Sequence, residues 1–296
     1  MKVVAGPSSQ ELAHRVAEQL GINLVESSWK HFPDGEFYFR FHEDIAGEEL
    51  IIVQSLYPPQ NEHIFELLTI VHTAKDLEAS KIIVFAPYLA YSRQDERYLP
   101  GEAITSKLLA EILCKIGIDA IYTVDIHNFK VLEYYTVPAY NLIASPLIAR
   151  YFVESKRLTK PFLLAPDDEE AAIKRVEEAS KALGGVPYDA LEKRRDRYTG
   201  RIETKEKGLN VEGMDVVIID DIISTGGTAA NAARISKKMG ARKIYVGVTH
   251  ALLRGEALKM MEEAGVDEVA STDSVPAVTT KISVAPLLRE ALIRKI

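Results

Sequence analysis

Cysteine is almost missing from this sequence: Cys114 stands alone, so no disulfide can close within the chain. Long apolar runs are missing too. Nothing approaches the roughly 18 consecutive apolar residues of a membrane-spanning helix, and the chain opens on the strand-like Val3-Val4-Ala5 without the charged, apolar and cleavable series of an export signal. A cytoplasmic protein without a membrane partner is expected. Positive charge is in deficit, with a formal net charge of −7. General nucleic-acid binders need a surplus of Lys and Arg to neutralise phosphates, so nucleic acid is not expected among the partners. Small anions stay open, because their sites depend on local groups. Asn and Gln are scarce beside abundant Lys, Arg and Glu, a composition that leans towards a heat-adapted source.

What is present is a chain of 296 residues with an ordinary apolar fraction of 47%. That length accommodates two domains, each with its own core. Short β-branched runs alternate with amphipathic stretches almost throughout. Ser8 and Glu11 have the spacing of a capping box, and Leu12, Val16 and Leu20 then share a helical face that Gly21 closes. From Ile104 to Ile116 the stripe is Leu108, Leu109, Ile112 and Leu113, closed by Gly117. Between such helices lie Leu50-Ile51-Ile52-Val53, Lys81-Ile82-Ile83-Val84-Phe85, Pro161-Phe162-Leu163-Leu164 and Val216-Val217-Ile218-Ile219. These runs are continuously apolar, as strands covered on both faces must be. The alternation predicts an α/β protein with largely parallel sheets.

The pattern also repeats. Ala79-Ser80-Lys81-Ile82-Ile83-Val84 parallels Ala241-Arg242-Lys243-Ile244-Tyr245-Val246, and the segment from Gly117 to Asp125 parallels that from Gly265 to Asp273. Each pair reads as strand, helix, glycine stop and strand, which implies two copies of one α/β domain. The first copy holds extra residues between its blocks, including the polar stretch from Tyr91 to Tyr98. Added loops on a repeated scaffold are good places for function. The boundary is expected near Pro138 to Pro146, giving domains 1–141 and 142–283, with a C-terminal helix over 284–296 joined to the first.

The sharpest motif runs from Val216 through Asp220-Asp221-Ile222-Ile223-Ser224-Thr225-Gly226-Gly227-Thr228 into Ala229-Ala230-Asn231-Ala232-Ala233. A buried strand delivers two carboxylates at its carboxyl end, where open α/β sheets bind ligands. The turn that follows has glycines, hydroxyls and a helix N-terminus, the elements of a phosphate cradle. Asp220 and Asp221 suit vicinal ribose hydroxyls or a metal. No lysine follows the glycines, which excludes a Walker-type loop.

This motif resembles the phosphoribosyl pyrophosphate signature shared by type I phosphoribosyltransferases and ribose-phosphate diphosphokinases. Phe32-Pro33-Asp34-Gly35-Glu36, Tyr91-Ser92-Arg93-Gln94-Asp95 and Val124-Asp125-Ile126-His127-Asn128 resemble the second family in position and order. The resemblance extends over essentially the whole chain, on to Thr249-His250 and Thr272-Asp273. It implies two duplicated type I phosphoribosyltransferase-like domains and a Mg2+-dependent enzyme. That enzyme moves the diphosphoryl group of ATP to the anomeric hydroxyl of ribose 5-phosphate, giving 5-phosphoribosyl 1-diphosphate and AMP for nucleotide biosynthesis. By the same resemblance, Phe32 and Arg93 sandwich adenine, while Asp34, Gly35, Glu36 and Gln94 contact the nucleotide. The turn carrying Phe32 comes from a neighbouring subunit, so a homo-oligomer of at least two chains with shared ATP sites is implied. His127 and Asp167 hold the metal. Lys193 and Arg195 act catalytically on a closing loop, and Arg195, Asp220, Asp221, Ser224, Thr225, Gly226, Gly227 and Thr228 hold ribose 5-phosphate.

Three departures mark an archaeal-type member. Asp168-Glu169-Glu170 follow Asp167 where small residues are usual, Ser224 stands where an aspartate is common, and the loop after Gln94 is short. A phosphoribosyltransferase would share the cradle but has no use for the Phe32 to Glu36 turn or a second domain. A non-catalytic family member would not need Lys193, Arg195, His127 and Arg93 together.

Overall fold

The continuous apolar runs fold as strands sealed on both faces: Leu50, Ile51, Ile52 and Val53 are all fully buried, as are Ile82, Val84 and Phe85. The computed structural model describes residues 1–195, 202–204 and 209–293, with 193–195 and 202–204 as backbone alone. Two units emerge, Met1–Leu142 with Ser283–Ile296, and Ile143–Ile282.

The first unit runs through β1 (Lys2–Ala5), α1 (Gln10–Leu20), β2 (Ser27–His31), β3 (Phe37–Phe41), β4 (Glu49–Val53), α2 (Gln60–Asp76), β5 (Lys81–Phe85), α3 (Thr105–Ile116), β6 (Ala120–Val124) and β7 (Ala139–Leu142). Five strands make one sheet in the order β1-β4-β5-β6-β7, and every neighbour is parallel. The hairpin β2–β3 stands apart as an antiparallel ribbon, with Trp29 opposite Phe39. Leu50, Ile52, Ile82 and Val84 meet Leu67, Ile70 and Leu113 of the covering helices in one core.

Two local expectations are corrected. Ser8 does not cap α1: Pro7–Ser9 form a short 3-10 turn, and the helix begins after Ser9 without a side-chain cap. Instead, Ser8 Oγ donates to the Ser55 carbonyl at 2.7 Å and Ser9 Oγ accepts from the Ser55 N–H at 2.8 Å. Buried backbone groups at the end of β4 need partners, and the two serines supply them. Leu108 leaves the buried stripe of α3, which is made by Ser106, Leu109, Ala110 and Leu113. Gly21 and Gly117 end their helices in the left-handed conformation, as the sequence predicts.

The second unit runs through α4 (Ser145–Ser155), β8 (Pro161–Ala165), α5 (Glu170–Ala182), β9 (Tyr188–Ala190), β10 (Lys193–Arg195), β11 (Ile202–Thr204), β12 (Asp215–Ile223), α6 (Gly227–Lys238), β13 (Lys243–Ala251), α7 (Ala257–Glu263), β14 (Glu268–Thr272) and β15 (Thr280–Ile282). Its sheet order is β15-β14-β13-β12-β8-β9, again parallel throughout. The final helix, α8 (Ala285–Ile293), belongs to the first unit and packs on α1.

Strand order shows the duplication, since β1-β4-β5-β6-β7 in one unit corresponds to β8-β12-β13-β14-β15 in the other. The repeated blocks share a hydrogen-bond device as well. Asp119 Oδ2 accepts from the Ile82 N–H at 2.7 Å, and Asp267 Oδ2 accepts from the Ile244 N–H at 2.9 Å. In each case the aspartate N–H returns to the same partner's carbonyl. One aspartate after the glycine stop therefore pins the start of the neighbouring strand in both copies.

Candidate active site

β12 is longer than its apolar run. It continues through Asp220 and Asp221 to Ile223, with Ile222 in register with His250 and Ile223 with Ala251 of β13. Asp220 and Asp221 therefore lie within the strand, and both are buried. The chain then turns through Ser224 and Thr225 to Gly226, the N-cap of α6. Gly226 has φ +81, and a Cβ there would sit 3.0 Å from the Ala257 carbonyl oxygen, so only glycine fits without strain. The turn is tied down behind by the Arg254 N–H, which donates to the Ser224 carbonyl at 2.8 Å. Thr225, Gly227 and Thr228 face solvent. The open first turn of α6, with its unsatisfied N–H groups, is thus presented to an anion beside two buried acids.

Those acids are held by a residue the motif does not contain. Arg175, buried on α5, places Nη2 3.3 Å from Asp221 Oδ1 and 3.9 Å from Asp220 Oδ1. Burial pushes the Asp220 carboxyl well above its usual range. Asp221 and Asp167 push the same way, and Arg175 opposes them. Asp167 thus belongs to the same electrostatic cluster. Its Oδ1 accepts from the Glu169 N–H at 3.3 Å. Asp168, Glu169 and Glu170 turn outward instead, with Glu169 as N-cap and Glu170 in the first turn of α5. Carboxylates there complement the helix dipole.

The nucleotide-side residues fall in the first unit. Phe32 to Glu36 make the tight turn of the β2–β3 hairpin, closed by the Phe32 N–H to the Glu36 carbonyl at 2.8 Å, and Asp34 Oδ1 accepts from the Glu36 N–H at 3.2 Å. Phe32 is 39% exposed. Within the chain the cation on its ring is Lys30, with Nζ 4.5 Å from the centroid, whereas Arg93 lies exposed in another segment. Gln94 is anchored on α3: its Oε1 accepts from Thr105 Oγ1 at 2.7 Å, and its carbonyl accepts from Ser106 Oγ at 3.0 Å. The Arg93-Gln94 loop and the His127 turn are joined through buried Asp95. Its side chain accepts from Asn128 Nδ2 and its carbonyl from Tyr134 Oη at 2.6 Å. Half-buried His127 follows Asp125, whose backbone is left-handed at φ 38.

Lys193 and Arg195 lie on β10, opposite Thr204 and Ile202 of β11 in an antiparallel pair, so a ribbon occupies the place expected of a loop.

Sequence reasoning missed Arg175, although an arginine between Ala172, Val176 and Ala179 on a buried face was a usable signal. It missed Asp95 as a structural link. It also missed a buried polar group at the ends of β13 and β14, where Thr272 Oγ1 and Ser274 Oγ donate to the Thr249 carbonyl at 2.7 and 2.6 Å and His250 Nδ1 meets Ser274 Oγ at 2.8 Å.

Two parallel sheets of matching strand order, one ending in a carboxylate pair beside an open helix N-terminus, define an α/β enzyme of phosphoribosyltransferase-like fold. Comparison with known proteins narrows the class. Residues 1–117 match the N-terminal domain of ribose phosphate pyrophosphokinase, and residues 202–290 match the phosphoribosyl synthetase-associated domain. The chain is 37% identical over 297 residues to a ribose-phosphate pyrophosphokinase of Sulfolobus acidocaldarius, covering 100% of both chains. To that of Methanothermobacter thermautotrophicus it is 39% identical over 290 residues, covering 98% of this chain and 99% of the relative. A solved phosphoribosylpyrophosphate synthetase from Mycobacterium smegmatis has a TM-score of 0.84 at 28% identity, covering 99% of this chain and 98% of the other. The chain belongs to the ribose-phosphate pyrophosphokinase family.

Membership makes it a metal-dependent enzyme. The donors present fit such a requirement, since Asp167 acts on Asp220 beside Asp221 and the three carboxyl groups offer hard oxygen ligands. Among the described residues no helix is long and apolar enough to cross a membrane.

Proposed function

We propose that this chain transfers the diphosphoryl group of ATP to the anomeric hydroxyl of ribose 5-phosphate, releasing AMP and 5-phosphoribosyl 1-diphosphate for nucleotide biosynthesis in the cytoplasm. The join of β12 to α6 carries the proposal. Vicinal ribose hydroxyls donate to Asp220 and Asp221, while the 5-phosphate rests on Ser224, Thr225, Gly226, Gly227 and Thr228. Arg175 keeps both carboxylates in place from behind.

The first unit serves the nucleotide. Arg93 and Gln94 bind it from this chain, and Phe32, Asp34, Gly35 and Glu36 reach it from a neighbouring copy, so the enzyme works as a homo-oligomer of at least two chains. The exposed Phe32 ring supports that reading, because a stacked adenine needs an open aromatic face. The anomeric oxygen attacks the β-phosphorus in line, and the bond to the α-phosphate oxygen breaks. Lys193 and Arg195 offset the charge that gathers on the departing AMP. His127 and Asp167 hold Mg2+, which when bound shields the phosphate charges against an oxygen nucleophile. Catalysis is then positioning and electrostatics, without a covalent enzyme intermediate.

Calorimetric titration with ribose 5-phosphate tests the sugar site directly. Wild type binds it, and Asp220→Asn/Asp221→Asn loses at least roughly tenfold in affinity, as expected when hydrogen bonds to charged groups are removed. Unchanged affinity in the double variant would place the sugar elsewhere.

A further inference from the structure

A second set of metal donors lies where the β2–β3 hairpin packs on α2, within the first unit, whereas Asp220 and Asp221 belong to the second. His31 ends β2, and Glu62 and Glu66 stand one turn apart on α2. His31 Nε2 is 3.6 Å from Glu62 Oε1 and 3.4 Å from Glu66 Oε1, and one donor atom from each residue lies within 4.8 Å of the others. Neither contact is a hydrogen bond, and among the described residues the His31 ring has no other polar partner. Three donors from two elements are thus gathered within reach of a single ion. Around a tetrahedral ion with bonds of about 2.0–2.2 Å, ligand atoms lie about 3.3–3.6 Å apart, and the two distances from His31 match that spacing.

The surroundings hold these donors still. Glu66 is 1% exposed, and its Oε2 accepts from Gln54 Nε2 at 2.7 Å, leaving Oε1 towards His31. Gln54 is fixed in turn by the Ser8 N–H, which donates to its Oε1 at 3.1 Å. Such a second layer is what orients a metal-binding carboxylate. The His31 ring is set by Trp29, edge-on at 6.2 Å, and by Phe37 at 5.4 Å. Burial pushes the Glu66 carboxyl up, while Gln54 and His31 act the other way. Glu62 is half exposed and leaves the point open to solvent.

We propose that His31, Glu62 and Glu66 bind a divalent ion of the Zn2+ class, distinct from the metal that accompanies ATP. One imidazole with two carboxylates suits Zn2+ and leaves a fourth position for water. The ion would join the hairpin to α2 one residue before Phe32, and so fix the root of the Phe32 turn. The site stands on its own donors and does not depend on the reaction proposed above.

The test uses the full chain freed of metal, dialysed against stoichiometric Zn2+ in excess Mg2+, with bound zinc read by mass spectrometry. Wild type retains one more equivalent of Zn2+ than Glu62→Gln or His31→Gln, whose affinity at this site falls at least roughly tenfold. Its melting temperature also rises with Zn2+ where theirs do not. Glu62 is 51% exposed, so Glu62→Gln keeps the fold, which circular dichroism verifies. Equal zinc content and equal thermal response in all three proteins would overturn the proposal and leave the three side chains as an ion-pair cluster.

Discussion

Asp220 shows most clearly how one residue is held against its own preference. Its carboxyl is buried beside Asp221 and lies above the usual carboxylate range, chiefly through desolvation. A group raised in the folded state binds its proton more tightly there than in the unfolded chain. Stability is therefore highest while Asp220 is protonated and falls as pH rises from the ordinary carboxylate range through the raised value. Asp220→Asn removes that decline. The variant should melt higher than wild type at neutral pH while turnover falls roughly 10- to 100-fold, the worth of a charged hydrogen bond to substrate. Arg175→Met should act in the opposite sense. It leaves two buried carboxylates without their arginine, a change that typically costs about 3–5 kcal/mol, and a fall in melting temperature would show it. A neutral Arg175→Met would mean that the acids are compensated by other groups.

At the scale of elements, two of the glycines in the second unit serve different purposes. Gly226 caps α6 with left-handed backbone at φ +81, and alanine there costs about 1–2 kcal/mol in backbone strain alone. Gly247 of β13 has ordinary backbone, but its missing Cβ would meet Ile148 Cγ2 of α4 at 2.1 Å. Gly247→Ala should push the helix off the sheet at about 1–3 kcal/mol. Steady-state kinetics separate the two. Gly226→Ala raises KM for ribose 5-phosphate, whereas Gly247→Ala lowers the melting temperature and leaves that KM near wild type.

Elements are also where the sequence was most and least legible. Runs such as Leu50 to Val53 and stops such as Gly21 and Gly117 carry their structural cause within a few residues, so they read directly. The carboxylate pair and glycine turn from Asp220 to Thr228 read equally well, because the motif is contiguous. Ser8 did not, since its hydroxyl answers to Ser55 at the end of a strand far along the chain. Arg175 was hidden for the same reason: its partners arrive from β12. The donors His31, Glu62 and Glu66 are joined only when the hairpin packs on α2. Short-range signals fix elements; long-range pairing of polar groups has to be seen in the folded chain.

For the whole molecule, one α/β design has been used twice, with the same strand order and the same aspartate pin in Asp119 and Asp267. Each copy carries an antiparallel ribbon between its first two shared strands, β2–β3 with Phe32 beside it in the first and β10–β11 in the second. The loop with Arg93 belongs to the first copy and the phosphate turn to the second. A scaffold divided in this way suits a reaction between two phosphorylated substrates. Phosphorus NMR of a mixture of the chain, ATP, Mg2+ and ribose 5-phosphate tests that claim most directly. AMP and 5-phosphoribosyl 1-diphosphate should appear in equal amounts, only when ribose 5-phosphate is present. ADP as the nucleotide product, or inorganic phosphate released without the sugar, would contradict it.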